Sequence, residues 1–356
     1  MKKIGIDNLR VMVGAEGPED NNYRVQPTLQ PEPGKYNQEL LDGLDFLLAE
    51  MGKRKMVAIL FLNNSWDWSG GFGRYLEWNG YGKSLGIREP GNEWNKFTAY
   101  MGQFNTCEPC IAQYHNHIRF ILGRTNSYNG LKYTNDPAIM AWKIGNEPRA
   151  FGNKFKMILS ISALIKLIDP NHLVTTGTEG SWGCEGSDSL FERIHTTPDI
   201  DYLTVHIWPL NWGWIKQENI AATIDNAIER TNDYITTEIK IAEKLNKPIV
   251  MEEFGLPCDN YKFSTTDNIL FRDKYYDNIF KKVEESSKNN GVVAGANFWT
   301  WSGYGRPVPG QVWYRRGNDY LGDPPCEEQG VNSVFDTDSS TINLVKKYND
   351  NFSKLR

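Results

Sequence analysis

Seven short apolar runs recur along the chain, at residues 8–13, 55–62, 139–144, 173–176, 202–208, 248–251 and 292–301. Most are followed by a stretch in which apolar residues return at helical spacing, and nearly every run ends in polar or aromatic residues. In residues 37–53, for example, Leu40, Leu41, Leu44, Leu47 and Leu48 fall on one helical face, with Asn37 placed to cap it. Further helices are expected over 94–122 with a break near Pro109, over 155–168 until Asp169-Pro170 stops it, and over 220–245, 269–285 and 342–348. Strand alternating with helix is the unit of a parallel sheet. No low-complexity linker interrupts the 356 residues, so the alternation predicts one domain, 1–356, of α/β class. Polar strand ends favour a barrel over a doubly wound sheet, because βα loops at one rim build active sites there. No glycine-rich dinucleotide turn follows any strand, which disfavours nucleotide and flavin enzymes.

The stretch IMAWKIGNEPR, from Ile139 to Arg149, delivers the pair Asn146 and Glu147 to the end of one buried run. A second run, Pro248 to Met251, ends in Glu252, Glu253, Phe254 and Gly255. Two strand-terminal carboxyl groups on one scaffold suit glycoside hydrolysis, one as proton donor and the other as nucleophile or base. Alternation along the strand sets Glu252 and Glu253 on opposite faces, so only one of them is expected in the site, the other meeting a cation or solvent. Arg10, inside the first run, needs a carboxylate partner there or at the surface. His206 and Trp208 leave one strand two residues apart and share a face.

Composition narrows the picture. A net charge of -5 with interspersed signs offers no basic face for nucleic acid, and no apolar run is long enough to insert in a membrane. Several of the 12 Trp residues (Trp66, Trp68, Trp212, Trp214, Trp313) lie in polar, glycine-containing stretches, which suits a cleft that stacks rings on sugars. Cys107 and Cys110 lack the further ligands of a zinc site, leaving a local disulfide or two free thiols. No metal and no cofactor are expected. The first residues carry charge without the apolar centre of a secretion signal.

The motifs YTNDPAIMAWKIGNEPR, GTEGSWG, TVHIWPLNWGW, KPIVMEEFG and GANFWTW, in this order and at these strand ends, resemble glycoside hydrolase family 5, and within it the β-mannanases. The resemblance extends from Arg10 to the last strand. It implies a (β/α)8 TIM barrel whose first strand and helix are not accounted for before Arg10. It also implies a retaining endo-acting hydrolase of internal β-1,4-mannosidic bonds in mannan, glucomannan or galactomannan. By the same resemblance Glu147 is the acid/base, Glu253 the nucleophile, Asn146 the amide facing the sugar 2-hydroxyl, and His206 and Trp208 the neighbours of the catalytic pair. Trp299 resembles the floor of the cleavage subsite, Trp66 and Asn64 a wall of the cleft, and Arg10 a cation that keeps Glu253 ionised. The expected partner is β-mannan or a manno-oligosaccharide, and a polymer of that kind implies an extracellular or periplasmic place of work. Two rivals remain: a β-1,4-glucanase on the same fold, and a carbohydrate-binding barrel without catalysis.

Overall fold

The computed structural model describes residues 1–19, 23–84, 86–89, 91–149, 151–152, 156–261 and 263–355. They form two compact units, an N-terminal one of Asp7–Leu203 and a C-terminal one of Thr204–Arg356 joined by Met1–Ile6.

In the N-terminal unit four strands pair in parallel and in chain order: β1 (Asn8–Met12), β2 (Val57–Phe61), β3 (Ile139–Lys143) and β4 (Leu173–Thr175). Parallel neighbours need crossovers, which are supplied here by α1 (Gln38–Lys53), α4 (Glu108–Leu122) and α5 (Lys156–Ile168). Asn37 caps α1, its Oδ1 accepting the Glu39 and Leu40 N–H groups at 3.0 and 3.4 Å. The long stretch expected as one helix over 94–122 is three pieces: α3 (Trp94–Gly102), a 3-10 turn Gln103–Thr106, and α4. The break precedes Pro109, which sits in the first turn of α4, where a missing N–H costs nothing. Residue 155, the expected start of α5, lies outside the described residues. Two short helices, α2 (Gly71–Trp78) and α6 (Asp188–Ile194), complete this unit among the described residues.

The C-terminal unit carries β5 (Leu203–Ile207, whose first residue belongs to the other unit), β6 (Ile249–Phe254) and β7 (Val293–Ala296), hydrogen-bonded in that order. Helices α7 (Ile220–Leu245) and α8 (Leu270–Lys288) connect them. A two-strand parallel pair, β8 (Trp301–Gly303) and β9 (Val334–Phe335), and α9 (Ser339–Leu355) follow. The first residues pack on α9 so closely that a Cβ on Gly5 would lie 2.7 Å from the Asn349 Cβ.

Cys107 and Cys110 form a disulfide, while Cys184, Cys258 and Cys326 are free and buried. No helix of the described residues is long and apolar enough to cross a membrane.

Candidate active site

Each unit gathers predicted site residues at the C-terminal ends of its strands. In the N-terminal unit the ladder runs on past the formal strand ends. Asn146 donates its N–H to the Asn63 carbonyl at 2.8 Å, and Glu147 donates to the Gly177 carbonyl at 3.0 Å. This continuation of β2, β3 and β4 sets Asn64, Asn146, Glu147 and the GTEG turn side by side. Gly177 has no alternative at its place. Its φ is +81°, and a Cβ there would meet Lys143 Cε at 1.9 Å and the Gly145 carbonyl at 2.1 Å.

Glu147 is buried and holds φ +49°, a left-handed conformation uncommon for a side-chain-bearing residue and costing on the order of 1–3 kcal/mol. Its Oε2 accepts the indole N–H of Trp66. Trp66 therefore meets the predicted proton donor by its edge. Its ring lies parallel to Phe97 with centroids 6.0 Å apart, and the Arg149 guanidinium stands 5.1 Å from its centroid.

Asn146 is fixed from three sides. Arg10 Nη2 and Lys143 Nζ donate to its Oδ1 at 2.9 and 3.4 Å, while its Nδ2 donates to Asn64 Oδ1 at 3.4 Å. Two cations on one oxygen orient the amide, since that atom cannot then be the NH2 group. Asn64 is itself held, donating to Ser69 Oγ at 3.1 Å and accepting the Trp66 N–H at 3.1 Å. The Arg10 guanidinium, besides donating to the Asn146 amide, lies 5.5 Å from the Phe61 ring.

In the C-terminal unit His206, fully buried on β5, lies between two carboxylates of β6. Its Nδ1 is 3.0 Å from Glu253 Oε2 and its Nε2 is 3.3 Å from Glu252 Oε2. Of the two places expected for Glu252, beside a cation or in solvent, the second does not hold: the side chain is wholly buried, with Oε2 against the imidazole that Glu253 also meets. Alternation separates where two side chains start, and the flexible arms of Glu let their ends converge on opposite edges of one ring. With both nitrogens engaged, the ring is fixed in orientation. Trp208 Nε1 donates to the same Glu253 oxygen at 3.3 Å, so His206 and Trp208 do share a face.

Trp299 follows β7, where the ladder again continues: Asn297 and Trp299 donate to the Met251 and Phe254 carbonyls at 2.9 and 2.8 Å. Its ring is half-buried. Gly255, next after β6, allows this approach. A Cβ there would lie 2.7 Å from the Trp299 carbonyl oxygen, 2.8 Å from Trp208 Cζ3 and 3.0 Å from Asn332 Oδ1.

Three participants escaped the sequence reading. Lys143 is a fully buried ammonium on β3, and Arg149 and Glu179 form a two-bond fork at 2.7 and 2.6 Å. The nearest signal was charge inside otherwise apolar or glycine-rich motifs, a charge that demands a buried partner.

Parallel strands crossed by helices, with carboxyl groups held by indole N–H donors at the strand ends, define the class: an α/β glycoside hydrolase of the (β/α)8 barrel kind. All of residues 1–356 match the family model described as GH family 5 beta-mannosidase-like, and the chain belongs to that family. Mannan endo-1,4-beta-mannosidase 7 of Arabidopsis thaliana is 30% identical over 355 residues, covering 95% of this chain and 72% of that protein. The crystal structure of a glycoside hydrolase family 5 mannosidase from Rhizomucor miehei superposes with a TM-score of 0.90 at 35% identity, covering 100% of this chain and 86% of that one. A mutant of that mannosidase was crystallised in complex with mannosyl-fructose. The hyperthermostable endo-1,4-beta-D-mannanase of Thermotoga petrophila superposes with a TM-score of 0.69 at 25% identity, covering 98% and 92% of the two chains.

Proposed function

We propose that this chain hydrolyses β-1,4-mannosidic bonds of mannan, glucomannan or galactomannan by double displacement, with Glu147 as acid/base and Glu253 as nucleophile. The observation that carries the reading is that both strand-terminal carboxyl groups are buried and each accepts an indole N–H, from Trp66 and Trp208 respectively. Such donors hold a carboxyl oxygen in place for reaction and cost no reorganisation. Glu147 begins protonated and passes its proton to the leaving glycosidic oxygen as Glu253 attacks the anomeric carbon, forming a glycosyl ester. Glu147, now ionised, takes a proton from water, whose oxygen displaces Glu253 and restores both groups. His206 and Trp208 stabilise the ionised Glu253 through two hydrogen bonds, and Asn146, its amide fixed by Arg10 and Lys143, offers Nδ2 as a donor toward the sugar. Trp299 supplies a ring for the sugar face. Work on a polymer places the protein outside the cytoplasm.

The test is release of reducing ends from galactomannan, glucomannan and carboxymethyl cellulose, with Glu253→Ala and Glu147→Ala alongside. Cleavage of the mannans, lost by several orders of magnitude in Glu253→Ala and retaining oligosaccharide binding, is the expected result. Equal turnover in Glu253→Ala removes it as nucleophile, and preference for the cellulose derivative replaces mannan by glucan. The anomer first released, read by NMR, decides retention. A second reading, removal of single mannose units from chain ends, is favoured by the higher structural likeness to a mannosidase (TM-score 0.90) than to an endo-mannanase (0.69). Products from mannopentaose separate the two: mannobiose and mannotriose together indicate internal cleavage, mannose with mannotetraose indicates terminal cleavage.

A further inference from the structure

Arg149 stands two residues after Glu147, on the turn that leaves β3. Its guanidinium forks onto Glu179, Nε to Oε2 at 2.7 Å and Nη2 to Oε1 at 2.6 Å, and its backbone N–H donates to Ser65 Oγ at 3.3 Å. Ser65 immediately precedes Trp66. The guanidinium lies 5.1 Å from the Trp66 ring centroid, and Trp66 donates its indole N–H to Glu147. Glu179 is 2% exposed. A buried ion pair is weak ground for stability, since desolvation offsets much of the attraction, so this one calls for another account. What the fork supplies is a plane: two parallel hydrogen bonds fix the guanidinium's orientation, as a single ammonium contact would not.

We infer that Arg149 and Glu179 are a positioning pair for Glu147, acting through Trp66. The fork sets the guanidinium plane, that plane and Phe97 set the indole, and the indole N–H sets the rotamer of the carboxyl group. The inference rests on the reading of Glu147 as proton donor, and it assigns neither residue a contact with the reacting atoms.

A positioning role and a merely structural one differ in their dependence on the leaving group. Protonation matters when the departing oxygen is basic and ceases to matter when it leaves unaided. The measurement is kcat/KM for phenyl and 2,4-dinitrophenyl β-mannobiosides, which reports the bond-breaking half of the reaction. Trp66→Phe and Arg149→Met are expected to lose on the order of 10- to 100-fold with the phenyl substrate, the scale of a displaced acid, and less than about threefold with the dinitrophenyl one. Combining them adds no further loss if both act on one rotamer. Arg149→Lys keeps the charge without the plane and shares the loss.

Removing Arg149 alone takes both fork bonds from a buried carboxylate and endangers folding. The variant Arg149→Met with Glu179→Met removes both charges and gives the same expected pattern. Equal losses with both leaving groups, no loss in either, or wild-type behaviour of Arg149→Lys overturns the positioning pair. If the wild-type protein cleaves neither mannobioside, it is the proposed function that fails instead.

Discussion

His206 shows how much a single ring can hold. Its two nitrogens separate two buried carboxyl groups at 3.0 and 3.3 Å, and replacing it takes a hydrogen-bond partner from each. His206→Leu is therefore expected to lower the unfolding free energy by roughly 3–5 kcal/mol, measured by urea denaturation at pH 7. Adding Glu252→Gln to that variant should recover part of the loss, because it removes one buried charge while an amide oxygen still accepts in the same place. Trp208 answers a narrower question. Trp208→Phe keeps the apolar surface and removes the 3.3 Å donor to Glu253, so kcat should fall on the order of tenfold, with KM moving less, in steady-state kinetics on a soluble mannan. Which residues would carry the chemistry in each unit was only partly legible in the chain. Glu147 and the shared face of His206 and Trp208 follow from strand ends and alternation, which leave Glu252 and Glu253 as alternatives that only the family resemblance separates. The Glu252–His206 contact does not, because alternation fixes where side chains start and leaves their ends undetermined. Arg149 and Glu179 are 30 residues apart with no periodicity connecting them.

At the scale of elements, local chemistry and tertiary context divide the work. The seven apolar runs correspond to β1–β7 because strands of a covered parallel sheet are mostly apolar, and single charges such as Arg10 and Lys143 do not hide the run. α1 begins where Asn37 says it should, and its cap is a local interaction that the neighbours do not alter. Asn37→Ala should cost about 1 kcal/mol, read as a shift of the urea midpoint with unchanged slope. Helix α2 gave no such signal. It starts at Gly71 with φ +58°, after Gly70 with φ +85°, and its first N–H donates to Glu16 Oε2 from another loop at 3.0 Å. A start of that kind is made by tertiary contacts. The pair β8 and β9 is three and two residues long, too short for alternation to show.

For the whole molecule, three buried groups bound the pH range of stability. Burial pushes the Glu16 carboxyl up to about 8 and that of Asp323 up to about 7, and pushes the His117 imidazole down to about 4. His117 is held between the Val13 carbonyl at 2.9 Å and the Tyr36 hydroxyl at 3.1 Å. Unfolding lets each group return to its ordinary value. As pH falls from 6.5 to about 4 the unfolded chain gains the His117 proton first, so stability drops on the acid side. As pH rises from 4.5 to about 8 the unfolded chain releases the Glu16 proton first, so stability drops on that side too, by roughly 1.4 kcal/mol per unit for each such group. Glu16→Gln keeps an acceptor for the Gly71 N–H without the titration. The variant is expected to match the wild type near pH 4 and to exceed it by a few kcal/mol at pH 8, in urea denaturation at matched ionic strength.

The turn at Gly255 has a consequence for anyone reshaping this protein toward other sugars. Three neighbours claim the space where a side chain would begin, and one of them is the Trp299 main-chain oxygen, which no exchange of residue can trim. Libraries that vary Trp208 or Asn332 can open room around this turn, whereas those that vary the glycine will return mostly dead clones. The route to a new specificity therefore runs around that position, with the order of mutations dictated by a single absent methyl group.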